Sequence, residues 1–338
     1  MKKVSLVVSK DLQNNNLLNK NSADNRDDIF QKYIELKKEF YKNGYIVATS
    51  DIHSIISSDI VLYFSLPEKL PTQAEMEKSF LLLTENIIVN PGDYIKSNHR
   101  FFKKIFTFDD SLVDNIKYFK VNLAHLFHKD INKDLKTKIH LCTLIAANKK
   151  LSHPLALNAE RVNVIRWFEK NHPKDFDLYG VDWDKYIFSG PKIVRALNRV
   201  AFIQKMFSLI PKNTYPSYKR PISNKKTTLE KYKFSICYEN VKDIPGYITE
   251  KIFDSFFAGC VPIYWGADNV LDFIPEGCFI DKRVFNDYDE LYDFITNMKD
   301  DKYKEYLDNI ETFLHSSDGC VFSAETYAKN LVSNLLKD

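Results

Sequence analysis

The chain has 338 residues, 44% of them hydrophobic, which is enough to fill the cores of two domains, and its formal net charge is only +3. This nearly neutral balance argues against a dedicated nucleic-acid-binding protein, because such proteins neutralise phosphates with clustered basic residues. The five cysteines form no C-x-x-C pair, so neither a zinc site nor a disulfide framework is indicated, and a cytoplasmic location is expected.

The first quarter of the chain alternates between predicted strands and a helix. Residues 4–8, 45–48 and 60–64 are apolar and β-prone, whereas residues 28–41 have apolar side chains at helical spacing, with Asp27 or Asp28 as the N-cap. This alternation is typical of a doubly wound parallel sheet. No apolar run approaches the roughly 20 residues of a membrane span.

A carboxylate directly follows the next predicted strand. Residues 80–83 are apolar and are followed by Thr84, Glu85 and Asn86. Because ligands bind outside the carboxyl ends of parallel strands, Glu85 is expected at a ligand-facing edge, with a solvated loop carboxylate as the alternative. Residues 138–147 are predicted to be a further strand of the same domain, and the domain boundary is expected near residue 150.

The histidines give no metal-binding pattern. His125 and His128 are three residues apart on a segment that is expected to be exposed, and we interpret the histidines as ordinary surface or core residues. Asp182 and Asp184 form an Asp-x-Asp pair after a predicted strand at residues 176–179. Such a pair can hold a divalent metal, so it stays as an alternative to a metal-free site.

Residues 231–266 are predicted to form one βαβ unit. An apolar strand at 234–238 is followed by a polar loop, a helix at 249–258 ended by Gly259, and a second apolar strand at 260–265. Tyr247, Glu250 and Lys251 fall in the loop and first helical turn, at the end of the unit where ligands bind. A lysine in a first turn opposes the helix dipole but suits a bound phosphate, and the alternative is a solvated surface lysine.

This unit resembles the donor-binding motif of the α1,3/α1,4-fucosyltransferases. The matching blocks are YKF at 232–234, EN at 239–240, YITEK at 247–251 and AGCVPIYWG at 258–266, in the order found in the family. Tyr238 stands where the family usually has Phe. Residues 81–122 more loosely resemble the acceptor-domain segment of bacterial members, and Arg161 matches a family arginine at the start of a helix, with Arg166 as the rival.

The resemblance implies an α/β fold of the GT-B type, in which two Rossmann-like domains with parallel sheets face each other across a cleft. Residues 1–150 would bind the acceptor, and residues 151–320 would bind the GDP-sugar. A C-terminal helix in residues 321–338 would pack back across the domain interface.

The resemblance also implies an inverting glycosyltransferase that moves L-fucose from GDP-fucose to a glycan hydroxyl. The expected linkage is α1,3 to an N-acetylglucosamine or similar sugar of a bacterial cell-surface glycan such as lipopolysaccharide. Two alternatives stay open: a transferase for another GDP-deoxysugar, and a non-catalytic glycan-binding relative.

The resemblance assigns roles to six side chains, of which Glu85 would be the general base. Glu250 would accept hydrogen bonds from sugar hydroxyls and stabilise an oxocarbenium-like centre. The donor diphosphate would contact Arg161, Lys251, Tyr247 and Asn240. No metal or other cofactor is expected. Peripheral association with the inner face of a membrane, the linkage and the oligomeric state stay open.

Overall fold

The computed structural model describes residues 1–337 except 152, 186, 187, 189–191, 201, 204, 205 and 207–214. Within these residues, the first half of the chain forms a six-stranded sheet in which every paired strand is parallel. Its strands are β1 (Lys2–Val7), β2 (Tyr45–Thr49), β3 (Ile60–Tyr63), β4 (Ser79–Leu82), β5 (Lys104–Thr107) and β6 (Tyr118–Lys120), in the order β2-β1-β3-β4-β5-β6. The central strands are buried along their whole length, which explains their continuous apolar runs.

A second parallel sheet follows, and it also has six strands in the described part of the chain. These strands are β7 (His140–Ile145), β8 (Phe176–Tyr179), β9 (Tyr218–Arg220), β10 (Tyr232–Tyr238), β11 (Val261–Trp265) and β12 (Ile280–Asp281), in the order β12-β11-β10-β7-β8-β9. The chain therefore contains two Rossmann-like sheets.

The helices connect and cover these strands. They are α1 (Gln31–Lys42), α2 (Lys96–His99), α3 (Asn158–Asn171), α4 (Lys192–Ala196), α5 (Lys225–Leu229), α6 (Glu250–Phe257), α7 (Tyr288–Thr296), α8 (Asp300–His315), α9 (Ser317–Cys320) and α10 (Ala324–Leu336). No helix in the described part of the chain is long and apolar enough to cross a membrane.

The change from one sheet to the other lies earlier than expected. Strand β7 was predicted for the first domain, but it pairs with β10 and β8 in the second sheet. The chain thus changes sheet between β6 and β7, and the boundary expected near residue 150 moves toward the N-terminus. Apolar runs of parallel strands look alike in both domains, so the sequence pattern did not reveal which sheet β7 joins.

The C-terminal helix returns to the first domain. Helix α10 packs against α1, and its buried Tyr327, Leu331 and Leu335 belong to the same apolar core as Val4 and Phe40. Ser323 caps this helix as expected, since its hydroxyl accepts a hydrogen bond from the Thr326 N–H. The C-terminal helix therefore connects the second domain to the core of the first.

Helix α1 begins later than predicted. It starts at Gln31 with Phe30 at the N-cap position, so Asp27 and Asp28 do not cap it. Both aspartates have left-handed backbone angles, with φ of 50° and 57°. Asp is one of the few non-glycine residues that adopt this conformation readily. The Asp27 carboxylate accepts a hydrogen bond from the Lys225 N–H of the second domain at 3.3 Å.

Candidate active site

A cavity of about 550 Å³, which we call the main cavity, lies at the carboxyl edge of the second sheet. Ala146 follows β7, Gly180 follows β8 and Asn240 follows β10, and all three line this cavity. The segment around Asp24 and Ile29 of the first domain closes the opposite side. The main cavity is thus a cleft between the domains at the sheet edge where ligands bind in such folds.

Arg161 is fixed beneath the main cavity by helix α3. This helix buries Arg161 together with Val164, Ile165 and Phe168, which confirms the predicted helical spacing. The guanidinium donates through Nε and Nη2 to the Tyr238 carbonyl, at 3.2 and 2.5 Å. Its Nη1 has no hydrogen-bond partner among the described residues, so donors remain for a ligand. Burial lowers the pKa of Arg161, but a guanidinium stays charged in proteins.

Lys251 is held by a buried carboxylate. Glu239 is fully buried and accepts hydrogen bonds from the Thr249 N–H at 2.7 Å and the Thr249 hydroxyl at 2.6 Å. Lys251 Nζ lies 3.1 Å from the Glu239 carboxylate. Burial acts against the charged form of Lys251, but Glu239 and Glu250 outweigh it and raise its pKa. A permanent cation therefore lines the main cavity.

Glu250 lies in the same helical turn and remains ionised. Its side chain is 42% exposed to the cleft, and Lys251 Nζ lies 3.3 Å from its Oε1. Burial in the cleft would raise the pKa of Glu250, yet Lys251 and Lys225 outweigh this effect and lower it. Glu250 is therefore a hydrogen-bond acceptor that faces the main cavity.

Asn240 and Tyr247 connect Arg161 with the loop before α6. Arg161 Nη2 donates to Asn240 Oδ1 at 3.2 Å, and Asn240 Nδ2 donates to the Tyr247 hydroxyl at 3.4 Å. Tyr247 is only 3% exposed, and its ring lies 5.2 Å from that of Phe108 in the first domain. Burial raises the pKa of Tyr247, so the hydroxyl keeps its proton at neutral pH.

Glu85 lies on the first-domain wall, in a recess of about 260 Å³ that we call the Glu85 recess. The side chain is open to solvent within this recess, but the surrounding walls exclude enough water to raise its pKa. Lys149, which lines the main cavity, lowers the pKa of Glu85, whereas Glu250 raises it. The protonation of Glu85 therefore depends on charged residues across the cleft. A carboxylate with a raised pKa is suited to accept a proton near neutral pH.

The structure thus places two bonded groups side by side at the second sheet, Arg161–Asn240–Tyr247 and Lys251–Glu250, and it places Glu85 on the facing domain. The rival arginine is directed elsewhere. Arg166 pairs with Glu169 at 2.6 Å and lies 4.0 Å from the Tyr215 ring centroid.

Sequence reasoning missed several residues of the cleft. Lys225 Nζ lies 2.7 Å from the Asp254 carboxylate, and both line the main cavity. Burial raises the pKa of Asp254 to about 6. Asp254 lies four residues after Glu250 and so shares its helix face, a spacing that could have indicated it. His125, expected on an exposed segment, is instead largely enclosed, and its ring lies 4.9 Å from that of Phe253.

The Asp-x-Asp alternative finds little support in the geometry. Asp182 Oδ1 accepts a hydrogen bond from Lys185 Nζ at 2.8 Å. Across the described ranges, no group of three or more His, Cys, Asp or Glu residues is placed to hold a metal ion. Metal independence itself stays a prediction.

Solved glycosyltransferases share the fold over the whole chain. An α1,3-fucosyltransferase crystallised with GDP-fucose aligns with 100% of this chain and 91% of its own, with a TM-score of 0.54 and 16% identity. HepE of Anabaena, crystallised with UDP and glucose, aligns over 99% of both chains, with a TM-score of 0.55 and 8% identity. The protein therefore has the GT-B fold of glycosyltransferases, as expected.

Sequence similarity relates part of the chain to the fucosyltransferases. Residues 189–321 match the model of glycosyltransferase family 10 (fucosyltransferase), C-terminal part. The chain is 40% identical over 100 residues to α-(1,3)-fucosyltransferase FucT of Helicobacter pylori and 42% identical over 77 residues to an α-(1,4)-fucosyltransferase of Arabidopsis thaliana. These matches confirm the resemblance to the α1,3/α1,4-fucosyltransferases over this part of the chain. The matched segments cover 29% and 22% of this chain, and 20% and 19% of those two relatives.

Proposed function

We propose that the protein is an inverting glycosyltransferase that moves L-fucose from GDP-fucose to a glycan hydroxyl. One observation supports this most strongly: two fixed cations, Arg161 and Lys251, line a cavity of about 550 Å³ at the carboxyl edge of the second sheet. Lys251 lies in the region that matches the fucosyltransferase family model, residues 189–321. A diphosphate fits such a site because charge-assisted hydrogen bonds to Arg and Lys are strong.

The reaction requires three concerted changes. The acceptor oxygen bonds to C1 of fucose, and the bond from C1 to the diphosphate oxygen breaks, with its electron pair leaving on GDP. The proton of the acceptor hydroxyl passes to Glu85 as general base. Arg161, Lys251 and the Tyr247 hydroxyl stabilise the charge that develops on the leaving diphosphate, so these interactions strengthen toward the transition state.

The two domains divide these tasks. Glu250 accepts hydrogen bonds from donor hydroxyls and stabilises positive charge at C1, and Asn240 adds a donor contact. Because base and diphosphate lie on opposite walls of the cleft, attack comes from the face opposite the leaving group, which gives inversion. Closure of the first, acceptor-binding domain on the second would then gate turnover.

The cations already in the site make a divalent metal unnecessary for diphosphate departure. The acceptor that we propose is a cell-surface glycan, such as a bacterial lipopolysaccharide, with α1,3 transfer to N-acetylglucosamine or a similar sugar. The enzyme would act in the cytoplasm, either free or peripherally at the inner face of the membrane, and without nucleic-acid partners.

The test is a transfer assay with purified protein, GDP-fucose and a panel of β-galactosides and N-acetylglucosaminides. The proposal predicts GDP release that depends on an acceptor, and NMR of the product gives the linkage and anomeric configuration. A preference for another GDP-deoxysugar in the same assay would change the donor assignment. Glycan binding without release of GDP would instead indicate a non-catalytic relative.

A further inference from the structure

A second cavity, of about 330 Å³, lies against the main cavity. Five residues line both spaces and form the wall between them: Asp27, Ile29, Lys225, Glu250 and Asp254. The volume lies near the lower end of the roughly 300–1,000 Å³ range of ligand pockets, which suits a single sugar unit. Because Glu250 lines both cavities, a ligand in the second cavity would lie beside the sugar of a donor in the main cavity.

The second cavity also borders the Glu85 recess. Lys32 of helix α1 lines both of these spaces. The second cavity therefore borders both the main cavity and the Glu85 recess. An attacking hydroxyl has to lie near both the donor C1 and the base that takes its proton, and the second cavity adjoins the spaces where these two would lie.

Side chains of the second cavity have unused hydrogen-bonding capacity. Lys32 makes no hydrogen bond or ion pair with any residue that the structure describes, and its ammonium lies 5.3 Å from the Tyr33 ring centroid. Neither ring nitrogen of His125 is hydrogen-bonded within the described ranges, and Nε2 is closed off from solvent. Burial lowers the pKa of His125 to about 3, so the ring is neutral, and Nδ1 is the nitrogen left to donate to or accept from a ligand, according to the tautomer.

The charges of the second cavity nearly balance. Lys225 is paired with Asp254, and Lys226 is paired with Glu230. Asp27 and Asp28 line the cavity together with Lys32. The cavity also has an apolar surface, where Phe257 meets the His128 ring with centroids 5.4 Å apart. An uncharged ligand with many hydroxyls and one apolar face matches these walls better than an anion does.

We infer that the second cavity binds the sugar unit of the acceptor glycan that receives fucose, a neutral pyranose whose hydroxyls are hydrogen-bonded by Lys32 and His125. This inference rests on the proposed function and adds a location and residues for the acceptor. The sequence had placed acceptor binding only somewhere in the first domain.

The test compares Lys32→Ala and His125→Phe with wild type, using the panel acceptor that gives the fastest GDP release. We expect each variant to lower kcat/KM for the acceptor about tenfold or more, mainly through KM, because a hydrogen bond to a polar hydroxyl is lost. Kd for GDP should stay within about twofold of wild type. His125→Phe keeps the ring that packs on Phe253, and Lys37→Ala, an exposed position on the same helix α1, is the matched control with unchanged acceptor KM.

The outcomes separate the two proposals. Wild-type transfer with an unaltered acceptor KM in Lys32→Ala and in a folded His125→Phe would overturn the second-cavity assignment and leave the proposed function standing. A loss of GDP affinity as large as the loss in acceptor KM would also overturn it, because the residues would then act on the main cavity. A wild-type protein that neither binds GDP nor transfers fucose would remove the proposed function itself.

Discussion

Glu239 explains why a lysine occupies the first turn of helix α6. Its carboxylate has no exposed surface and is bound by Lys251, by the Thr249 hydroxyl and by the Thr249 N–H. Removing one partner of such a buried pair costs about 3–5 kcal/mol, which exceeds the roughly 0.3–1 kcal/mol by which the helix dipole disfavours a first-turn lysine. Glu239 therefore fixes the cation that faces the main cavity.

At the residue scale, Glu85→Gln should lower kcat about 10²–10⁴-fold, because a positioned base contributes that much. Burial raises the pKa of Glu85 above the ordinary 4.5. As pH falls through this raised value, Glu85 binds a proton and can no longer accept one, so the acid limb of kcat/KM should lie above pH 4.5. Rate profiles from pH 4 to 8 would measure both effects.

The Glu85→Gln variant should show no such acid limb in its rate profile. Glu77→Gln, which removes an exposed carboxylate of the same domain, should behave like wild type. Full kcat in Glu85→Gln, or an unshifted acid limb in that variant, would show that another group takes the proton.

Site residues that lie close together in the sequence were predicted better than site residues that meet only in the folded chain. The resemblance to the fucosyltransferase motif indicated the cations, and the helix register at Arg161 favoured it over Arg166. The role of Glu239 was missed because its hydrogen bonds to Thr249 depend on how the loop folds back. Lys225 and His125 were missed because their neighbours in the cleft lie far away in the sequence or on the other domain.

At the scale of elements, the loop before α6 is clamped by the first domain. Asp110 N–H donates to the Pro245 carbonyl at 3.1 Å, and Asn269 Nδ2 donates to Asp110 at 3.0 Å. Gly246 has φ +77°, and a Cβ there would lie 2.3 Å from the Phe108 carbonyl oxygen. Only glycine fits this contact, which sets the position of the neighbouring Tyr247.

We therefore expect Gly246→Ala to lower the thermal midpoint and to weaken GDP binding, because the loop has to move away from Phe108. Overpacking of this kind costs about 1–3 kcal/mol. Gly44→Ala is the matched control, since Gly44 has φ +84° but nothing within 4 Å of the added Cβ. Scanning calorimetry would compare the two, and equal losses in both variants would mean that only the backbone angle matters.

The sequence predicted where helices and strands lie along the chain more reliably than which strands pair with each other. The predicted helix at 249–258 and strand at 260–265 correspond to α6 and β11. Strand β7 was assigned to the wrong sheet, and β6 was not predicted because three partly exposed residues give no clear apolar run. Strand pairing depends on contacts between distant segments, which a local pattern does not contain.

At the scale of the whole molecule, the cleft between the domains is lined by charged arginine and lysine side chains. Arg161 and Lys251 face the main cavity beside Lys225, whose pKa stays raised because Asp254 and Glu250 outweigh the effect of burial. The GT-B arrangement was implied by the family resemblance. The position of the segment around Asp27 at the cleft was not predicted, because it depends on contacts between the two domains. One such contact, between Asp27 and the Lys225 N–H, involves residues about 200 positions apart and has no local signal.

Transfer activity should be unchanged in excess EDTA, because these fixed cations neutralise the leaving diphosphate without a metal ion. Initial rates with and without chelator, and with added Mn²⁺, would measure this. An absolute Mn²⁺ requirement that is removed by Asp182→Asn would instead support metal binding at the Asp-x-Asp pair.

The most direct test of the account is calorimetric titration of GDP and guanosine into wild type, Lys251→Met and Arg161→Lys. The account predicts saturable GDP binding by wild type, a Kd for GDP at least about tenfold weaker in both variants, and no comparable change for guanosine, which lacks the diphosphate. If wild type gives no heat with millimolar GDP, or if the folded variants bind GDP as tightly as wild type, the diphosphate site is not where these residues lie.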